Sequence, residues 1–232
     1  MTDYVLVHGA WSGPHDWRKV RAALWQAGHA AFTPSLTGLG ERSHLTSPGV
    51  GLATHVADVV NTVLYEDLTG VVLCGHSYGG VVVTGAIDLV AERLRHVVYI
   101  DAFVPADGQS LDDLVGAPER PSWPGAPFTV PPPTRQFEDP AEAAFIVPRR
   151  TPHPSRTLVE PVRLAYRLEE YPFERTYIKA TGEPRPEPAG AFWAAADRAR
   201  ASSAWHYREI ATNHMILANR PDELARLLLE LA

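Results

Sequence analysis

Residues 71–86, VVLCGHSYGGVVVTGA, set one hydroxyl, Ser77, between Gly75 and Gly79, with Gly80 next to them. An apolar run from Val71 to Cys74 leads into the serine, and the residues from Gly79 onward read as a helix. A strand that turns this abruptly into a helix forces its apical residue towards φ > 0, a strained setting for anything but glycine. Small residues two positions to either side then avoid a clash. As a bare five-residue match the G-x-S-x-G pattern is weak. In its strand–turn–helix setting it holds a serine hydroxyl out at the strand's carboxyl end, where it can act as a nucleophile.

A serine hydroxyl attacks poorly unless a positioned base takes its proton. The chain has ten histidines, so a histidine alone means little. His214, in REIATNHMILANRP, stands between the last strand expected and the last helix, where the base falls when the chain order is serine, acid, histidine. His76 adjoins Ser77 and must point away from it, which suits packing. His15, His44, His153 and His206 read as surface or structural residues, His44 in a loop that could border the site. Negative charge developing on a substrate oxygen needs two backbone amides. Tyr78, directly after the serine, supplies one, and Ala10 in HGAWSG is best placed for the other.

The elements that must position these groups alternate. Strands are expected at 4–8, 29–33, 71–74, 96–101, 175–180 and 205–210. Helices are expected at 14–27, 54–66 with Thr54 as N-cap, from Gly79 to about Arg93, near 189–200 and at 221–231. Short β-branched runs between amphipathic helices specify an α/β fold, a mostly parallel sheet with helices on both faces. Each candidate catalytic residue then follows a strand, at the edge where such sheets build their sites. Between about 105 and 172 the alternation stops, and 14 of the 21 prolines fall there. Proline breaks helices and central strands, yet the segment is rich in aromatics, which argues against a disordered insert. It reads as a Pro-rich cap of short helices over the sheet's carboxyl edge, inserted in a single domain spanning 1–232.

Together YVLVHGAWSGPHDWRKVRAALWQAGH, GHSYGG and NHM resemble the α/β-hydrolase superfamily, in the branch of plant methylesterases, hydroxynitrile lyases and small bacterial esterases. The resemblance covers most of the chain and is weakest across 105–172. It implies Ser77 as nucleophile, His214 as base, Ala10 and Tyr78 as oxyanion donors, and a fold without cofactor or metal. Lyases of this branch resemble His-Thr where this chain has His8-Gly9, and carry a lysine directly after the base, where Met215 stands here. Ester hydrolysis is therefore preferred to cyanide elimination. The branch usually places its acid after the strand TYIKA, where Glu183 is the nearest match and Glu187 a weaker one. Asp101, ending HVVYID, is the other strand-end position and the first choice, because proline-flanked Glu183 is readily solvent-exposed. Gly9, Trp11, Trp123, Phe128 and Met215 are the expected pocket residues.

Composition is ordinary for a soluble protein, with 45% hydrophobic and 21% charged residues. A net charge of −6 without basic runs argues against nucleic-acid binding. No stretch approaches the ~18 apolar residues that cross a bilayer, and the start lacks the features of a signal peptide. The expectation is a cytoplasmic serine hydrolase, with no membrane partner and a homodimer compatible, cleaving an ester, thioester or lactone of a small-to-medium, fairly apolar substrate. The alternatives are a cyclase, lyase or acyl-transfer enzyme on the same site, or a non-catalytic ligand-binding protein.

The acid gives the sharpest test. Replacing a buried triad carboxylate by its amide can cost ~10⁴-fold in kcat, whereas a solvated one should cost almost nothing. Asp101→Asn is expected to lower kcat at least ~10²-fold with little change in fold, and Glu183→Gln to stay within roughly fivefold. The reverse pattern in steady-state kinetics would place the acid after TYIKA.

Overall fold

The computed structural model describes residues 1–120 and 125–231. The first half alternates β1 (Asp3–Val7), α1 (Arg18–Gln26), β2 (Ala30–Phe32), α2 (Leu52–Tyr65), β3 (Val71–His76), α3 (Gly79–Val90) and β4 (Leu94–Ile100). The Pro-rich middle carries α4 (Leu111–Val115), β5 (Thr129–Val130), α5 (Pro140–Ile146), β6 (His153–Pro154) and α6 (Arg156–Val159). The alternation resumes with β7 (Glu174–Ala180), α7 (Ala191–Ala201), β8 (His206–Ile210), α8 (Ile216–Asn219) and α9 (Pro221–Leu229). Six strands form one sheet in the order β2-β1-β3-β4-β7-β8, each pairing parallel. The chain runs outward from β1 to β2 and then crosses to β3 on β1's other side. Connections therefore diverge between β1 and β3, and the crevice this opens at the strands' carboxyl ends holds Ser77 and the HGAWSG loop.

The period-two alternation of the strands separates two cores. Val5, Val7, Leu73, Val97, Tyr99 and Tyr177 face α2, α3 and α7. Tyr4, Leu6, Val72, Cys74, Val98, Ile100 and Ile178 face α1, α8 and α9. Each buried valine or leucine contributes about 1.5–3 kcal/mol relative to exposure, so β1, β3 and β4 are rigid. No helix among the described residues is long and apolar enough to cross a membrane.

Several expected boundaries move. Residues 14–27 divide into a 3-10 turn, Pro14–Trp17, and α1. The loop at 34–51 contains a 3-10 turn at Gly40–Leu45. The α2 helix begins at Leu52, so Thr54 is its third residue and not its N-cap. The Leu52 amide donates instead to a carboxylate oxygen of Glu160 at 2.6 Å, from the Pro-rich segment. That segment is not helices alone: β5 and β6 pair antiparallel, Val130 opposite His153. It lies on the sheet's carboxyl edge, with the Trp11 indole N–H donating to the Val130 carbonyl (2.9 Å) and the Thr151 amide to the Trp11 carbonyl (3.0 Å). Leu158, Val162 and Leu164 join the larger core.

Four histidines, His8, His55, His76 and His153, are buried beneath this edge. His8 Nε2 accepts from the Leu36 amide, so Nδ1–H donates to the Gly9 carbonyl. His55 Nε2–H donates to the Thr37 carbonyl, and Nδ1 accepts from the Tyr78 hydroxyl. His153 Nδ1 accepts from the Trp11 amide, and Nε2–H donates to Thr157 Oγ1. Each of these three rings is satisfied as the neutral form. Burial lowers the pKa to about 3 for His8 and His76, to about 4 for His55, and well below the usual value for His153.

A buried histidine with a lowered pKa takes up its proton more readily in the unfolded chain. Stability is therefore complete above pH 6.5 and is lost as pH falls from there towards 3 to 4. Each such histidine contributes a slope of up to about 1.4 kcal/mol per pH unit. Urea midpoints are expected to drop steeply between pH 6.5 and 4.5, and less steeply in His8→Gln or His153→Gln. Buried Asp16, whose carboxyl pKa burial raises, acts in the opposite sense. A flat profile would mean that these rings are solvated.

Candidate active site

Ser77 has φ +56°, between the last residue of β3 and the start of α3. Its amide donates to the Ile100 carbonyl at 3.2 Å, and its own carbonyl accepts from the Gly80 and Phe103 amides. The turn leaves no space for side chains. A Cβ on Gly75 would lie 2.6 Å from the Gly79 carbonyl oxygen, and one on Gly79 would lie 2.6 Å from that of Val7. Two further residues of the same edge, Trp11 (φ +62°) and Asp101 (φ +40°), share the strained conformation. The only other non-glycine example among the described residues is Asp67.

His214, in the loop after β8, places Nε2 2.9 Å from Ser77 Oγ and Nδ1 2.6 Å from Asp101 Oδ2. An ionised carboxylate can only accept, so Nδ1 carries the proton and Nε2 presents its lone pair to the serine hydroxyl. The imidazole lies between the rings of Phe192 (4.8 Å) and His76 (4.9 Å). His76 Nε2–H also donates to the His214 carbonyl at 3.0 Å, so this neighbour of the serine packs and orients the His214 imidazole.

Asp101 is buried and directly follows β4. Its Oδ1 accepts from the Lys179 ammonium at 2.6 Å and from the Ala180 amide at 3.3 Å. Burial alone would raise its pKa. The hydrogen bond and charge of His214, with the charge of Lys179, outweigh that and hold it at about 2. Glu183 is exposed and makes no bond to His214 among the described residues. The structure thus brings Asp101 to the imidazole and leaves Glu183 in solvent. It also alters one expectation above, because Asp101→Asn would strand the buried Lys179 and cost stability as well as rate.

The Ala10 and Tyr78 amides flank Ser77, and neither donates to a protein acceptor among the described residues. The Tyr78 side chain is buried against His55 and His153, which fixes its backbone. Gly9, Trp11 and Met215 line the cleft over Ser77, which has about 20 Å³ of free space. Phe128 does not line it. Its carbonyl accepts from the Ser155 amide beside the β5–β6 pair, which sets the ring in an outer groove with Asp112 and Arg120. Trp123 lies outside the described residues. Sequence reasoning missed Arg135, Ile146 and Arg150, which enter the cleft from the Pro-rich segment, and Phe192 and Lys179 around the relay. Only Lys179 had a signal, a charge inside a buried strand run. A second cavity of about 450 Å³, lined by Phe103, Phe192 and Trp193, meets the same site at His214 and Arg135.

A family model described as the alpha/beta hydrolase family matches residues 4–227. Over 115 residues the chain is 50% identical to a carbendazim hydrolyzing esterase of Nocardioides sp. (strain SG-4G), covering 50% of this chain and 48% of that protein. Methylesterase 1 of Arabidopsis thaliana is 30% identical over 132 residues, 54% of this chain and 50% of that one. In these matches the chain spans about half the length of the curated relatives. An extracellular alpha/beta-hydrolase from a Paenibacillus species superposes with a TM-score of 0.79 at 23% identity, covering 99% of this chain and 98% of that one. A polyneuridine aldehyde esterase mutant gives 0.74 at 18% identity, covering 100% and 99%. These two structural likenesses concern fold. With the family model running from β1 to α9, over a sheet whose order and strand-end loops are those described above, the chain belongs to the alpha/beta hydrolase family.

Proposed function

We propose that this protein is a serine esterase, hydrolysing a carboxylic ester, thioester or lactone of a small-to-medium molecule through an acyl-Ser77 intermediate. The observation that carries the reading is the unbroken relay from Ser77 Oγ through His214 to buried Asp101, at 2.9 and 2.6 Å. Ser77 Oγ attacks the carbonyl carbon as its proton passes to His214 Nε2. The carbonyl oxygen gains the electron pair and is held by the Ala10 and Tyr78 amides. Collapse expels the leaving alcohol or thiol, which takes the proton from His214. Water then attacks the acyl-enzyme with His214 again as base, releasing the acid and restoring Ser77. Asp101 keeps the Nδ1–H tautomer and stabilises the imidazolium without being protonated itself.

Relatives named as esterases support hydrolysis. An alpha-hydroxynitrile lyase of Arabidopsis thaliana is also similar, 30% identical over 108 residues. The cation that elimination needs after the base is absent here, since buried Met215 holds that position. In this reading the 105–172 segment acts as a cap, contributing Arg135, Ile146 and Arg150 to the cleft. A cytoplasmic setting fits the lone, buried thiol of Cys74.

A fluorophosphonate probe should form one adduct, lost in Ser77→Ala. Ester hydrolysis should fall ~10³-fold or more in Ser77→Ala and in His214→Ala, with the double variant scarcely worse than either. Additive losses, or labelling that survives Ser77→Ala, would remove the serine mechanism.

Asp101 and Lys179 allow stability and catalysis to be separated. Asp101→Asn should lose at least ~10²-fold in kcat and also unfold more readily, because removing one partner of a buried ion pair costs about 3–5 kcal/mol. Adding Lys179→Met should restore much of the melting temperature and none of the rate. Recovery of rate by the double variant would show that Asp101 serves Lys179 and not His214.

A further inference from the structure

The cleft over Ser77 contains two cations that the relay does not use. Arg135 and Arg150 both line it, alongside His214 and Met215. Neither guanidinium has a carboxylate within ion-pair distance among the described residues. Arg150 donates only to the Pro133 carbonyl, and Arg135 makes no side-chain hydrogen bond among the described residues. Both are partly buried, which costs each some of its hydration. Burial lowers the pKa of both, and the charge of Arg135 lowers that of Arg150 further, while Glu183 and Asp101 act in the opposite sense on Arg135 and Asp16 does so on Arg150.

None of these acids pairs directly with either guanidinium among the described residues. Asp101 is committed to Lys179 and His214. Asp16, which also lines the cleft, has one oxygen engaged by the Ser12 hydroxyl at 2.5 Å and the other 3.5 Å from His15 Nε2 without a hydrogen bond. Burial drives that carboxyl towards its neutral form. Glu183 is exposed at the rim of the adjoining cavity. In a protein of net charge −6, the two cavities thus hold three cations, Arg135, Arg150 and Lys179, with Asp101 and Glu183 as the facing carboxylates and Asp16 pushed towards its neutral form. Unpaired guanidiniums that share a cleft and repel each other are a poor arrangement for stability and a good one for holding an anion, which each can grip through two parallel N–H donors.

We propose that Arg135 and Arg150 form a carboxylate subsite, and that the preferred substrate is an ester carrying a free carboxylate a few bonds from its scissile carbonyl. The proposal rests on the ester-cleaving reading and narrows its substrate class. Arg135 lines both the Ser77 cleft and the 450 Å³ cavity. A carboxylate at that junction leaves the scissile carbonyl facing Ser77 and the apolar remainder of the molecule against Phe103, Phe192 and Trp193. A small, largely apolar body with one anionic end would occupy the larger cavity, with only its scissile carbonyl entering the narrow cleft at Ser77.

Monomethyl glutarate and dimethyl glutarate differ only in whether the distal carboxylate is free. Wild-type protein should prefer the monoester in kcat/KM by about tenfold or more, the scale of one charge-assisted hydrogen-bonded pair. The preference should shrink as ionic strength rises from about 0.01 M to 1 M. The monoester-to-diester ratio should collapse at least tenfold in Arg135→Gln and persist in part in Arg135→Lys, which keeps the charge without the fork. If Arg135→Gln does not fold, Arg150→Gln and the wild-type salt dependence read the same quantity. Equal or better turnover of the diester, with fluorophosphonate labelling of Ser77 intact, would overturn the subsite and leave the esterase standing. Stronger preference for an ester bearing a phosphate in place of the carboxylate would overturn the carboxylate assignment. Failure to hydrolyse either ester, with no labelling, would remove the esterase reading and this proposal with it.

Discussion

Asp101 carries two obligations at once. One oxygen faces the Lys179 ammonium and the other the His214 imidazole, in a place where water is excluded. Burying an isolated carboxylate costs several kcal/mol, and the lysine offsets that cost only at close range and good geometry. The second oxygen is then left to fix one tautomer of the His214 imidazole. Because the ammonium projects from β7 and the carboxylate from the end of β4, the pairing of those two strands sets the charge state of the relay. A register slip of one residue would turn Lys179 to the other face of the sheet and leave both charges unmatched.

The geometry at the strand ends is maintained against local preference. Trp11, Ser77 and Asp101 follow β1, β3 and β4, and all sit at positive φ, at a cost of about 1–3 kcal/mol each. The rigid, doubly covered sheet supplies the opposing stability, and glycines remove the side chains that would collide where β1, β3 and α3 meet. Neutral histidines complete the support from below. His8 and His153 hold the loop after β1, and His55 holds Tyr78, each through a hydrogen bond that the protonated ring could not keep on both nitrogens.

Much of this was legible in the sequence where the cause is local. The strand–turn–helix around Ser77 announces itself because only glycine tolerates so close an approach, and the parallel sheet follows from β-branched runs spaced by amphipathic helices. His214 is marked by its place between the last main strand and the closing helices. What could not be read depends on distant partners. The start of α2 is decided by Glu160, which lies more than a hundred residues along the chain, so Thr54 was a reasonable but incorrect cap. Phe128 reads as a pocket residue because it is aromatic and lies in the Pro-rich segment, yet it lies beside the β5–β6 pair in an outer groove. Arg135 and Arg150 gave no signal, since a cation in a proline-rich stretch ordinarily points to solvent. Net charge concealed them too, because it averages over a surface and says little about a cleft.

The Glu160 carboxylate that closes α2 has a consequence for how the molecule can change. Its partner amides belong to the main body, as does the Trp11 indole that reaches the Val130 carbonyl. The Pro-rich segment is therefore wired into the scaffold at both a helix end and the loop beside Ser77. It is not a detachable module that can be exchanged whole. Arg135 and Arg150 enter the cleft without taking part in those anchors. Diversification of this chain is thereby channelled into single side chains on a fixed frame, and away from insertion or replacement of the segment that carries them.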